Sequence, residues 1–315
     1  MITPAQGVPN YKTSGYAIMD VFSKMFNKRY WERDAVQLIT TSRYLAELKN
    51  GGDTVKITNE PTITVHDDFA DGGDLVEDPV ILDGTEVTID KTAYFNFPLT
   101  DIQMELSHLA LTEQFMETAV KEVAKKVNTT FFTLMVDAAD AANKGATAGA
   151  LFGGYTLGTS DTPIGTNAGG TNSAMAITEY ITQFAAVLRE QYANQDTWIV
   201  IPPWMEWVLV NSEIKSTMIM GDGPSRLIDG YRGKINNMNV IVSGFLPGSG
   251  NATGTPTAIL GGNKEAIVYT LKNIRTIKWY NGKFKTLMQG LNIWGAKCIK
   301  PKGLVNGYVY RKAAA

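Results

Sequence analysis

Six carboxylates crowd one short stretch of this chain: Asp67, Asp68, Asp71, Asp74, Glu77 and Asp78. Oxygen donors at that density attract Ca²⁺, and carboxylates joined by a convergent histidine can hold a hydrolytic metal. The spacing matches neither use. It does not follow the EF-hand loop, and the two histidines, His66 and His108, stand in no H-E-x-x-H pattern. Cys298 is the single cysteine, which excludes an intrachain disulfide and a paired-cysteine zinc site. Between Ala296 and Ile299, in an apparent strand, it reads as a small buried side chain rather than a nucleophile. No G-x-x-x-x-G-K-[ST] loop is present to cradle a nucleotide phosphate. No catalytic residue, metal site or cofactor is therefore expected.

What the charged residues can do is attract one another at a distance. From Ile57 to Asp90 there are ten acidic residues and no Lys or Arg. From Lys264 to Lys312 there are eleven basic residues, among them Lys278, Lys283, Lys285, Lys297, Lys300 and Lys302, against the single acid Glu265. Complementary fields of this kind steer association and set its register. Each exposed pair contributes only ~0.2–1 kcal/mol and is screened by salt, so many must act together. The alternative is a solvated acidic loop, with the basic residues turned toward nucleic acid.

The elements that must carry these charges follow from periodicity. Residues 1–15 hold Pro4, Gly7, Pro9 and Gly15 and read as an extended arm. Residues 16–48 suit short helices, anchored by Tyr30 and Trp31. Between Asp53 and Phe97 the period falls to two, at Val55 and Ile57, Ile63 and Val65, Val80 and Leu82, Val87 and Ile89, which predicts a long β-hairpin with a Gly- and Asp-rich tip. Pro98 is expected to end its returning strand, and Thr100 with Gln103 to form a capping box. A helix is then predicted over 101–144, with Ile102, Leu106, Leu109, Met116, Val120, Val123, Val127, Leu134 and Ala138 at three- and four-residue steps. At ~1.5 Å per residue it would span about 66 Å, a spine rather than the wall of a pocket.

Residues 145–173, rich in Gly, Thr and Ala, read as a loop or irregular hairpin. An α/β section follows: a helix over 174–191, a buried strand over 197–201, and a helix over 204–214 started by Pro202 and Pro203. Strands are predicted at 240–242, 258–260 and 266–270, with more running to Tyr310.

Composition sets the remaining bounds. At 315 residues, 44% hydrophobic and 19% charged, the chain can build a sizeable core. A net charge of -2 argues against binding nucleic acid by bulk electrostatics. No signal peptide opens the sequence, and no stretch approaches ~18 consecutive apolar residues, so a soluble, unexported protein is expected.

The order arm, long hairpin, spine helix, compact α/β part and closing strands resembles the major capsid proteins of tailed bacteriophages. Four stretches carry the resemblance. YWERDAVQLITTSRYLAELKNGGDTVKI, from Tyr30 to Ile57, is similar to the entry into the family's extended hairpin, the E-loop. TIDKTAYFNFPLTD, from Thr88 to Asp101, resembles the strand leading into its spine helix. LIDGYRGKINNMNVIVSGFLP, from Leu227 to Pro247, is similar to the strand and turn beyond the loop at the capsomer axis. GGNKEAIVYTL and GLNIWGAKCIKPKGL, from Gly261 and Gly290, resemble the closing strands.

The resemblance implies an α+β, HK97-like capsid fold. Its parts would be an N-terminal arm with short helices (1–48), the extended β-hairpin or E-loop (49–98) and a peripheral domain with spine helix and Gly-rich loop (99–173), with a peripheral β-sheet beside the spine helix. An axial α/β domain (174–290) and closing strands returning to the peripheral domain (291–315) would complete it. MIMGDGPS, from Met218 to Ser225, would form the loop near the capsomer axis. The implied function is self-assembly through pentamers and hexamers into an icosahedral shell around the phage genome.

The implied partners are further copies of the chain, a portal protein and packaged double-stranded DNA, with a separate scaffolding or decoration protein as an option; because no long charged scaffolding segment opens the sequence, the resemblance implies either a separate scaffolding protein or assembly without one. The place would be the virion, assembled in the host cytoplasm. An encapsulin compartment shares this fold, and a metal-dependent enzyme using the acidic hairpin is the alternative from another class. Some family members join subunits by Lys–Asn isopeptide bonds; Lys56, Lys91 and Asn306 are the nearest residues, with no motif match. In the family the hairpin reaches over an adjacent subunit. The acidic residues named above are thus expected to dock on a neighbour's basic closing strands.

Overall fold

The computed structural model describes residues 35–41, 43, 54–58, 61, 63–66, 84–100, 111–167, 175–193, 195–212, 234–248, 255–280 and 285–311. The arm, the six acidic residues, Lys283, His108 and the axial loop at 218–225 lie outside them.

The hairpin begins as the period-two pattern requires. Strands β1 (Thr54–Thr58) and β2 (Gly84–Thr88) pair antiparallel with Val55 opposite Val87. Their inward side chains, Val55, Ile57 and Val87, pack on Val268 and Ile299, which roots the hairpin on the chain's own body. At Ile63 and Val65 the expected strand is not found: this stretch has no ladder partner among the described residues and is exposed. An apolar alternation that nothing among the described residues covers is not held as sheet by burial.

Strand β3 (Lys91–Thr100) continues through Pro98, which corrects the expectation that Pro98 ends it. β3 pairs on one side only, with the strand Lys285–Cys298, and is an edge strand of its three-stranded sheet, where a residue lacking an N–H is tolerated. Helix α1 (Val36–Ile39) is a short turn, and the spine helix α2 runs over Leu111–Asp137, with residues 101–110 outside the description. Its 27 residues span about 40 Å. Met116, Val120, Val123 and Val127 are buried as their spacing predicts, while Leu134 turns outward and Phe131, Phe132 and Met135 take the core positions beside it.

The helix stops at Asp137 rather than Lys144. Two side chains explain the early end. Asn306 donates from Nδ2 to the Val136 carbonyl at 3.0 Å, satisfying a C-terminal acceptor. Asp140 accepts from the Ala142 amide at 2.9 Å, opening a separate 3₁₀ turn over Ala141–Asn143.

Residues 145–158 form an irregular hairpin through the bridges Gly145–Gly158 and Ala148–Tyr155. A strand unmarked by the periodicity, β4 (Ile164–Asn167), follows and lies parallel to the last strand. Then come β5 (Met175–Ala176), α3 (Ile177–Glu190), β6 (Thr197–Ile201) and α4 (Pro203–Val210). Pro203 starts α4 as expected, but the helix ends at Asn211, short of Ile214.

β7 (Lys234–Ile235), β8 (Met238–Val242) and β9 (Thr257–Asn263) precede the two 14-residue strands β10 (Ile267–Tyr280) and β11 (Lys285–Cys298). After the 3₁₀ turn Pro301–Gly303, β12 (Leu304–Arg311) enters a seven-stranded sheet ordered β5-β4-β12-β9-β6-β8-β7.

One core joins the two larger sheets. α2 lays Val127, Phe131 and Phe132 against Tyr269 and Trp294 of the three-stranded sheet and Trp198 and Leu260 of the seven-stranded one. The Phe131 and Tyr269 rings meet edge to face at 5.7 Å. The opposite face of the larger sheet is covered by α3 and α4 through Tyr180, Phe184, Leu188 and Met205. Every residue of β6, TWIVI, is buried, the signature of a strand covered on both faces. No helix among the described residues is long and apolar enough to cross a membrane.

Candidate assembly interface

The basic residues singled out by sequence do not form one patch. Lys285 opens β11, and the Lys278 backbone pairs near that end, opposite Met288. Lys297 stands at the other end of β11, about 40 Å away at ~3.4 Å per residue. There it is joined by Lys300 and Lys302, and all three are exposed around the Pro301–Gly303 turn. β-Strands hold charges at a fixed separation, so Lys278 and Lys285 are divided from Lys297, Lys300 and Lys302 by the length of β11.

Beside the turn lies a cleft of about 760 Å³, walled by Ile57 and Thr58, the α3 exit at Gln191–Ala193, Arg43 with Glu265, and Lys300–Gly303. A second opening of about 710 Å³ adjoins it across Ile299 and Pro301 and is lined by Lys56, Glu86, Lys297 and Cys298. Two basic residues at these openings are already matched: Arg43 to Glu265 at 2.8 Å and Lys56 to Glu86 at 2.9 Å. No carboxylate pairs with Lys297 or Lys302 among the described residues.

One buried carboxamide that the sequence does not signal, Asn143, bonds to two residues of the cleft wall, Lys302 and Gln191. Asn143 donates from Nδ2 to the carbonyls of Lys302 and Leu304, both at 2.8 Å, and accepts at Oδ1 from Gln191 Nε2 at 3.0 Å. It thereby ties the exit of the spine helix to the closing turn and to the end of α3. Three elements distant in sequence are fixed by three bonds from one side chain.

Several large apolar groups are exposed, and one of them, Tyr192, lines the cleft. Ile63 and Val65 are 68% and 80% exposed, Leu151 and Phe152 78% and 73%, and Tyr192 85%. Leu151 and Phe152 top a loop whose amides donate to Glu190 Oε2 at 2.9 and 3.4 Å. Burial and the Glu190 carboxylate push the Tyr155 phenol beneath them upward in pKa. Exposed apolar groups on a braced backbone are the pattern of a contact surface.

The residues weighed for covalent joining have other work. Asn306 is buried with its nitrogen on a helix carbonyl, Lys56 is bound to Glu86, and Lys91 is bound to Asp90 while lying 5.8 Å from the Trp294 ring centroid. Cys298 is half-buried, and desolvation raises its thiol to about 12. His66 is exposed. No three His, Cys, Asp or Glu side chains converge as metal ligands among the described residues.

Such an architecture, with its hairpin root, spine helix and two sheets, can be compared with known proteins. The family model described as phage capsid protein matches residues 82–306, well over half of the chain. The chain belongs to the phage capsid protein family. Solved structures agree on the fold. That of Mycobacterium phage Che8 is 17% identical with a TM-score of 0.59, over 85% of this chain and 89% of the other. The capsid of cyanophage P-SCSP1u is 16% identical with a TM-score of 0.57, over 83% and 85%. The mature capsid of bacteriophage PhiM1 is 14% identical with a TM-score of 0.56, over 84% and 83%. No curated protein sequence matches the chain.

This capsid protein therefore has the α+β, HK97-like fold and the structural role of a shell-forming subunit of the virion. Family membership favours the phage shell over the encapsulin compartment.

Proposed function

We propose that this capsid protein assembles through pentameric and hexameric capsomers into an icosahedral shell around double-stranded phage DNA, in the host cytoplasm, with a portal protein and a separate scaffolding or decoration protein as partners. Residues 1–48 serve as the arm, 49–98 as the E-loop, 99–173 as the peripheral domain, 174–290 as the axial domain and 291–315 as closing strands. Copies of one chain meet through unlike surfaces, which closes rings of five and six.

The hairpin of each subunit docks on a neighbour, with Asp67, Asp68, Asp71, Asp74, Glu77 and Asp78 facing basic residues drawn from Lys278, Lys283, Lys285, Lys297, Lys300 and Lys302. The observation that carries this is the charge segregation, ten acids in one stretch and eleven bases in another, together with the exposure of Lys297, Lys300 and Lys302 at one turn. The large exposed side chains of the hairpin, Ile63 and Val65, add apolar area that assembly would remove from water.

Reversing Asp67, Asp68, Asp71 and Asp74 to Lys tests the reading by electron microscopy and sedimentation over a range of salt. The expected result is loss of closed shells at low salt, with partial recovery when Lys297, Lys300 and Lys302 are reversed to Glu. Unchanged assembly with unchanged salt sensitivity would overturn it.

A further inference from the structure

The loop over 149–154, GALFGG, holds two apolar side chains away from the core. Gly149 and Gly153 take φ +115° and +60°, which side chains rarely adopt, and a Cβ on Gly154 would enter the Phe152 ring. Glu190, the last residue of α3, fixes the loop by accepting from the Leu151 and Phe152 amides. Both side chains at the tip are largely exposed, so their own subunit gains little from them. A second exposed apolar pair stands at the other end of α3. Trp207 and Val210 lie one turn apart on α4, with the Arg311 guanidinium 5.2 Å from the Trp207 ring centroid. Arg311 is opposite Thr166, and Thr166 opposite Met175, two residues before α3 begins. The 14 residues of α3 therefore separate the two pairs by about 21 Å.

We infer that the two pairs meet between copies, the Leu151–Phe152 tip of one chain seating against Trp207 and Val210 of the next. Charge sets the orientation. Arg311 has no carboxylate partner among the described residues, while the loop amides engage only Oε2 of Glu190. Arg189, beside it in sequence, is bound to the carbonyl and side-chain oxygens of Asn236 instead. At about 100° per residue, Val210 lies between Trp207 and Glu206 around α4. Glu206 repels a carboxylate brought to its side of the patch, and Arg311 attracts one brought to the other. Glu190 of the incoming tip accordingly lies toward Arg311, which fixes one register.

Two features favour a second copy as the occupant. Tip and patch are unlike and stand at opposite ends of one layer, α3 packed on the seven-stranded sheet, so each copy can present its tip to one neighbour and its patch to another. Unlike surfaces of that kind close into rings. The contact is also small, two side chains against two, which is weak for an isolated pair and gains strength when a ring repeats it. The inference rests on the reading that copies close into rings, and it is independent of where the acidic hairpin docks.

Cysteine crosslinking in assembled particles tests the contact, with Cys298→Ala in every variant. Chains carrying both Phe152→Cys and Val210→Cys, assembled reduced and then oxidised, are expected to give covalent oligomers larger than dimers on non-reducing gels, and chains with either cysteine alone to stay monomeric. Dimers from one cysteine alone would show that like surfaces meet across a twofold axis. Monomers from the double variant, in particles whose rings electron microscopy shows intact, would show that tip and patch do not meet. Either result overturns the inference and leaves ring assembly standing; particles without rings from the unsubstituted chain overturn both. Phe152→Ser and Trp207→Ser supply the second arm. Each is expected to leave subunit Tm unchanged and to raise the threshold concentration for assembly about tenfold, and the two together no further than either alone. Unchanged thresholds, effects that multiply, or a lowered subunit Tm would overturn the contact.

Discussion

Asn143→Ala should loosen the joint between the spine-helix exit, the closing turn and the end of α3, at a cost set by its three hydrogen bonds. The side chain is fully buried and makes three hydrogen bonds, two as donor to the carbonyls of Lys302 and Leu304 and one as acceptor from Gln191. Truncation leaves both carbonyls without that donor, at about 1 kcal/mol each, and removes a third bond of similar worth, for a loss of about 3 kcal/mol. For a chain of this size that lowers Tm by roughly 5 °C.

Urea unfolding of unassembled subunits, followed by the fluorescence of buried Trp198 and Trp294, should show a lower midpoint at unchanged slope. Gln191→Ala loses only the 3.0 Å bond and should cost about 1 kcal/mol, and the two substitutions should couple by about that amount. Asn143→Asp should cost more than Asn143→Ala, since an oxygen would replace the donor facing two carbonyls. A loss under about 0.5 kcal/mol for Asn143→Ala, or strict additivity with Gln191→Ala, would refute the joint.

Two further outcomes follow from burial. With its thiol raised to about 12 from 9.0, Cys298 should react with iodoacetamide at pH 8 about a thousandfold more slowly in the folded subunit than in urea, as the thiolate fraction falls by that factor; comparable rates would refute the burial of its sulfur. Burial also raises the Tyr180 phenol well above its usual value. The unfolded chain then loses this proton first, so the contribution is complete below about pH 10 and declines as pH rises further. Tyr180→Phe should flatten that alkaline decline in urea midpoints without abolishing it, since Tyr155 and Tyr308 are also raised. At neutral pH it should cost about 1 kcal/mol, because the Leu157 carbonyl keeps its bond from the Tyr308 amide. An unaltered pH dependence would refute the assignment.

The amino-acid sequence by itself determined the elements whose patterning is local. The three- and four-residue steps of Met116, Val120, Val123 and Val127 mark the spine helix, and the unbroken apolar run TWIVI marks a strand buried on both faces. The alternation around Val55 and Val87 marks the hairpin root. The division of acidic from basic residues was equally legible, because charge is carried by residue type whatever the fold.

Only the tertiary structure decided where those elements end and which side chains meet. Pro98 is accommodated because β3 lies at a sheet edge, and α2 stops at Asp137 as Asn306, 170 residues away, takes its carbonyl. Asn143 looks like any polar loop residue until Lys302, Leu304 and Gln191 close around it. Lys278 and Lys285 are split from Lys297, Lys300 and Lys302 to opposite ends of β11 because an extended strand advances about 3.4 Å at each residue. Periodicity encodes burial one element at a time; hydrogen-bond partners and cavities arise from pairs of residues distant in sequence, and only packing brings those together.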